Sequence, residues 1–190
     1  MFSATRSLVA LVLVTTFASC STAPKASDRA AFLVAANDVR AEFVEKVPGL
    51  EEQIAESAGV IIFPGIGEWG SLFGGGRFGR ATFERPDGEL LGWAALQSGS
   101  LGLGGGLRRF QMLLVLRDEA TVRRFMEERL SGDVETAVVL GQVGGSASAA
   151  FDNGVAVYQT AGEGILIGAR FNLDLLRYES LESAPAPAQP

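Results

Sequence analysis

Glu68, Glu84, Asp87 and Glu89 lie close together in the middle of the chain, where two carboxylates could in principle pair as general acid and general base, as in glycosidases. Solvated turn and strand-edge charges explain the same residues more simply. The rest of the catalytic repertoire is narrow. The 190 residues include no histidine, which excludes Ser-His-Asp and Cys-His nucleophile systems, His-x-x-x-His zinc sites and imidazole acid–base chemistry. Lysine occurs only as Lys25 and Lys46. Carboxylate pairs, Ser-Lys chemistry or a tyrosine such as Tyr158 remain, so the expectation is a non-enzymatic protein with no metal and no cofactor. Gly74-Gly75-Gly76-Arg77-Phe78-Gly79 spells G-x-G-x-x-G, but a dinucleotide loop must open a helix that holds the pyrophosphate. Here the chain runs on into Pro86-Asp87-Gly88, a turn, and the dinucleotide reading fails.

Recognition chemistry is better represented. Arg77, Arg80, Arg108 and Arg109 fall within or beside glycine-rich strands, where a lipid headgroup can approach the backbone, and guanidinium forks bind phosphate bidentately. Surface ion pairs are the plainer use of the same arginines. Trp69 and Trp93 suit a membrane–water interface, or else an ordinary core or rim. With 16 basic against 22 acidic residues the net charge is −6, which argues against nucleic acid as a partner.

Cys20, the single cysteine, ends an N-terminal run of a different kind. Arg6 is followed by a short apolar stretch, residues 8–17, then by Ala18 and Ser19. That stretch is too short for the roughly 20 residues that span a bilayer, and it reads as a secretory signal, residues 1–19. Phe17-Ala18-Ser19-Cys20 resembles the bacterial lipoprotein signal, in which cleavage precedes a cysteine that is then acylated. With about 0.8 kcal/mol per buried methylene, several acyl chains form an effectively permanent anchor. Ser21 after the cysteine favours the outer membrane, periplasmic face. The mature chain keeps 171 residues with 15 basic and 22 acidic side chains, a net charge of −7. It is large enough for one self-sufficient core.

The elements that must position these residues follow from periodicity. Residues 20–27 form a lipidated tether. Ser27 or Asp28 can cap an amphipathic helix carrying Phe32, Ala35, Ala36, Val39 and Phe43, ending before Pro48. A second helix is expected over residues 50–58, with Gly59 as its stop. Residues 60–63 read as a buried strand closed by Pro64-Gly65, and residues 71–85 as a long, glycine-weakened strand that turns at Pro86-Asp87-Gly88 into a partner over 90–95. Residues 110–116 are another buried strand. Asp118 caps a further amphipathic helix with Val122, Phe125, Met126 and Leu130, stopped by Ser131-Gly132. Strands are expected over 134–140, 147–151, 155–158 and 165–171, with a hairpin turn at Asp152-Asn153-Gly154. Residues 183–190 are a Pro/Ala tail expected to be disordered. The expected fold is α+β: a single domain over residues 28–182, with N-terminal helices packed on a curved, mostly antiparallel, glycine-rich sheet that a barrel-like closure could complete, and one further amphipathic helix.

The ordered pattern resembles the SYLF domain family of lipid-binding domains. The resemblance spans residues 58–178: Ala58-Gly59-Val60-Ile61-Ile62-Phe63-Pro64, glycine alternation through Gly79, Gly99-Ser100-Leu101-Gly102-Leu103 leading into Leu113-Leu114-Val115-Leu116, then Gly132-Asp133, Gly141 with Gly144, and Tyr158 through Gly164 to Gly168. Gly104 stands where the family has Gln, and Phe171-Asn172 replaces a glycine-containing stretch. Eukaryotic relatives resemble phosphoinositide-binding, actin-associated adaptors that meet membranes through a basic N-terminal helix. Here residues 29–46 carry Asp38, Glu42 and Glu45 beside Arg29, Arg40 and Lys46, so those activities are not carried over. Together with the lipoprotein-like signal, the resemblance implies a lipid-anchored envelope protein whose domain binds phospholipid or associates with the membrane surface. The competing expectation is a non-catalytic interaction or structural module that meets another envelope protein and owes its membrane affinity to the anchor alone.

Overall fold

Residues 22–25 lead into a 3₁₀ turn, Ala26–Asp28, and then helix α1 (Arg29–Lys46). The computed structural model describes residues 22–71, 74–100, 106–130, 133–134, 138–140, 150–161, 164–167, 171–172 and 176–183. The expected signal, Cys20 and the expected tail beyond Ser183 lie outside the described residues.

Helix α1 buries Ala36, Val39 and Phe43, one stripe at helical spacing. Neither Ser27 nor Asp28 caps it through its side chain as expected, because the Ser27 hydroxyl donates to Asp28 Oδ1 at 2.7 Å. Gly49, at φ 81°, reverses the chain into helix α2 (Leu50–Ala55). This helix stops three residues earlier than its periodicity suggests. The Ser57 amide and hydroxyl both donate to the Ile54 carbonyl, at 3.0 and 2.7 Å, and the Ala58 amide already donates to Leu116 in the sheet.

Strand β1 (Gly59–Ser71) runs through Pro64-Gly65 instead of closing there. The register shifts between Ile62 and Gly65 against one neighbour and between Phe63 and Ile66 against the other. The proline, which has no amide to donate, thus sits in a bulge. Strands β2 (Gly74–Glu84), β3 (Leu90–Ser100) and β4 (Gly106–Leu116) follow, and β3 is longer than expected. Helix α3 (Glu119–Met126) is capped as foreseen, Asp118 Oδ1 accepting the Thr121 amide at 2.8 Å. It ends before Ser131-Gly132, with Glu128 at φ 52°, although Leu130 is still buried.

The remaining strands are β5 (Asp133–Val134), β6 (Val138–Leu140), β7 (Val155–Ala161), β8 (Gly164–Ile167), β9 (Phe171–Asn172) and β10 (Leu176–Ser180). Of the strand expected over 147–151, residues 147–149 lie outside the description and Ala150 and Phe151 are not strand. The Asp152-Asn153-Gly154 turn is present, with Asn153 at φ 51° and Gly154 at φ 84°. Strand β10 was not anticipated.

Eight strands form one sheet in the order β10-β3-β2-β1-β4-β7-β8-β6, while β5 pairs with β9. The described ladder is antiparallel and open, ending at β10 and β6, so among the described residues no barrel closes. Helices α1 and α2 cover one face, packing on Val60, Ile62, Leu113, Val115, Ala156 and Tyr158. Val122 and Phe125 of α3 cover the other, over Ile61, Phe63, Phe83, Leu114 and Val157. The α+β fold with N-terminal helices on a curved sheet is as expected. Among the described residues no helix is long and apolar enough to cross a membrane.

Candidate functional site

Towards the turns of the β1–β2 and β3–β4 hairpins the sheet becomes a glycine-rich ribbon whose side chains leave the core. Trp69 is 46 % exposed, Phe78 60 % and Leu107 87 %. Register puts them together. Trp69 stands opposite Gly76 on β2 and Leu107 on β4, and Phe78 opposite Gly67 on β1 and Gln97 on β3. Directly opposed residues share a face, so Trp69, Phe78 and Leu107 share one, together with Arg109, which opposes Gly67, and Arg80, two residues beyond Phe78. This is the face that carries α1, because Trp93, opposite Thr82 on the same face, stacks edge-on against Phe32 of α1 at 6.0 Å.

The glycines make room for the aromatics. A Cβ on Gly67 would fall 2.7 Å from Phe78 Cζ, and one on Gly76 would fall 3.0 Å from Trp69 Nε1. Each ring therefore lies against a glycine of the neighbouring strand, which ties the alternation to a physical need.

The four arginines singled out from the sequence do not form one cluster. Arg80 and Arg109 lie on the α1 face. Arg77 and Arg108 lie on the other, where both oppose Glu68, and Arg77 Nε pairs with Glu68 Oε2 at 3.4 Å. Together they still give the ribbon four positive side chains against one negative, in a chain of net charge −6.

The two tryptophans part company. Trp93 is 2 % exposed, packed on Phe32 with the Arg29 guanidinium 5.8 Å from its ring. Covered by α1, it is a core residue, and its suitability as an interface aromatic is corrected.

The carboxylates do not assemble into a catalytic pair. Glu84 is the surprise, because it is 3 % exposed instead of solvated, with Arg40 Nη1 at 3.6 Å from its Oε2. Burial pushes its carboxyl above the usual range, opposed by Thr82 and Arg40. Glu89 pairs with Arg85 at 2.9 Å, and its amide donates to Asp87. Tyr158 is buried and donates its hydroxyl to Gln53 on α2. Among the described residues no three carboxylate, cysteine or histidine side chains gather to hold a metal ion.

An open groove of about 870 Å³ runs from the N-terminal segment at Thr22 and Lys25, past Phe32, to Phe78 and Arg80 on the ribbon and Arg177 on β10. Sequence reasoning missed its β10 wall. The signal was present in the alternation of Leu176, buried, and Arg177, exposed, at the end of the chain just before the Pro/Ala tail.

Residues 97–179 match the family model Ysc84, described as Las17-binding protein actin regulator. The resemblance to SYLF domains is borne out over that stretch, which runs from Gln97 on the ribbon to Glu179 on β10. The matched stretch covers less than half of the 190 residues, and its likeness is to a family of the lipid- and actin-binding type. Helices α1 and α2 and strands β1 and β2 lie outside the match. No curated protein and no solved structure matches the chain.

Proposed function

We propose that this is a non-catalytic envelope protein, anchored by acyl chains on Cys20, whose SYLF-type domain meets the phospholipid surface through the α1-side end of the ribbon. One observation carries the reading: Trp69, Phe78 and Leu107 stand exposed on one face, with Arg80 and Arg109 beside them, in a chain that is otherwise acidic. Apolar side chains of this kind enter the headgroup region. Each neighbouring arginine adds about 1 kcal/mol near an anionic surface. The anchor supplies permanence, and the ribbon supplies contact and orientation.

The test is flotation of the chain beginning at Ser21 with vesicles of phosphatidylethanolamine and phosphatidylglycerol; this chain contains the whole described fold and lacks the acylation site. Binding without the anchor supports the reading, and failure to float with any composition ends it. The family description, which names a protein partner, favours one alternative: the same exposed face docks on another envelope protein. A stoichiometric crosslinked partner with no lipid binding would support that version.

A further inference from the structure

Thr22, Ala23 and Pro24 are not a free tether. The Thr22 amide donates to Glu179 Oε2 at 2.6 Å, the Thr22 hydroxyl donates to the same oxygen, and the Ala23 amide reaches it at 3.3 Å. Ala23 is 4 % exposed. Pro24 is held as well, its carbonyl accepting from Arg29 Nε at 3.3 Å. A carboxylate oxygen that collects two backbone amides and a hydroxyl is a charge-assisted attachment. A linker of small residues serves as a tether without any such attachment.

We propose that Glu179 is a clamp that fixes where the lipid anchor leaves the domain, so that the acyl chains on Cys20 and the Trp69–Phe78–Leu107 face meet the same bilayer. The role rests on the membrane reading above. Glu179 opposes Trp93 on β3, and Gln97, which opposes Phe78, lies four residues further along that strand. At ~3.3 Å per residue this is about 13 Å along the strand, and β10 and β2 lie two strand spacings apart, about 10 Å. Thr22 is therefore held roughly 16 Å from the Phe78 position, on the same face. With Thr22 clamped, only Cys20 and Ser21 remain to reach the lipid, a span of at most about 7 Å. Released from Glu179, the chain from Cys20 to Pro24, which Arg29 still holds, could extend to roughly 14 Å, twice the clamped reach, and let the domain tilt away from this orientation. The groove between the two contact points is lined by Lys25, Arg80 and Arg177 together with Asp28, Glu128 and Glu179, so its charge is balanced and contact with the headgroups falls to the ribbon.

The experiment uses the mature acylated protein in phosphatidylethanolamine–phosphatidylglycerol vesicles containing brominated lipid. Two quantities are read: hydrogen exchange at the Thr22 and Ala23 amides, and quenching of Trp69, isolated by subtracting W69F. The expected wild-type result is exchange slower than in a free chain by about tenfold or more, with Trp69 quenched. E179A should release both amides and lose most of the Trp69 quenching while the protein stays vesicle-bound through its anchor. E179Q, which keeps an acceptor oxygen, should restore much of both. Free-chain exchange at Thr22 and Ala23 in the wild type would overturn the clamp. Quenching that survives in E179A with released amides would overturn its orienting role. Protected amides with Trp69 unquenched in the wild type would refute the membrane contact of the ribbon, and the orienting role with it, leaving only the attachment.

Discussion

Replacing Phe78 and Leu107 together by serine separates membrane contact from folding, because both side chains are mostly outside the core. Leu107 is 87 % and Phe78 60 % exposed. Full burial of such a side chain is worth about 1.5–3 kcal/mol, so entry of these two exposed fractions into the bilayer amounts to roughly 2–4 kcal/mol. At ~1.4 kcal/mol per tenfold, vesicle affinity should fall by roughly 30- to 700-fold. Stability should move by no more than about 0.5 kcal/mol, as is usual for exposed positions. The assay is vesicle titration of the chain from Ser21, read by flotation, with urea unfolding of the same samples. Trp93→Phe is the contrasting control: Trp93 is 2 % exposed and packs on Phe32. That variant should lower stability and leave the affinity of the folded protein unchanged. An F78S/L107S protein that unfolds like the wild type and binds within about threefold of it would refute the reasoning, since the transfer energy assigned to the two side chains would be missing.

Three further outcomes test the fold around this surface. Burial raises the Glu84 carboxyl above its ordinary 4.5, so the native chain holds that proton more tightly than the unfolded chain; the stability it contributes is complete below 4.5 and is lost as pH rises through the raised value. In urea titrations between about pH 4 and 8, E84Q should flatten that decline. Asp118 behaves oppositely: the Thr121 amide, then its hydroxyl, lowers the carboxyl from 3.8, giving stability that is present above that value and lost as pH falls through the lowered one. D118A should cost about 1 kcal/mol at neutral pH, with the difference from wild type fading in acid. A Cβ on Gly92 would fall 2.6 Å from Tyr178 Cε2 and 2.8 Å from the Glu179 carbonyl, so G92A should push β10 away from β3 and cost roughly 1–3 kcal/mol by thermal unfolding. It should also speed hydrogen exchange along 176–180.

Much of this architecture is written locally. The Asp118 cap, the Asp152-Asn153-Gly154 turn, the apolar stripe of α1 and the alternation along β2 depend on side chains within a few positions of one another, and each is present in the structure. The ordered glycines carried the family resemblance for the same reason, since a ring lying against a glycine leaves a trace in the alternation of residues. Other features needed the assembled sheet. Trp69 and Trp93 look alike as sequence, and only the coverage of β3 by α1, with Phe32 on the ring, sends one inward and leaves the other out. Glu84 looked like a turn charge until α1 brought Arg40 over it.

Strand order is the deepest case. Strand β10 lies beside β3, more than 70 residues earlier in the chain, and no local pattern specifies that pairing. It carries Glu179 to Thr22, across 157 positions. Capping, turns and periodicity are short-range, so the sequence by itself determined where most helices and strands form and the likeness to SYLF domains that the family match over residues 97–179 bears out. Which face is covered, which charges are buried and which ends meet depend on packing between distant elements, and only the tertiary structure decided them.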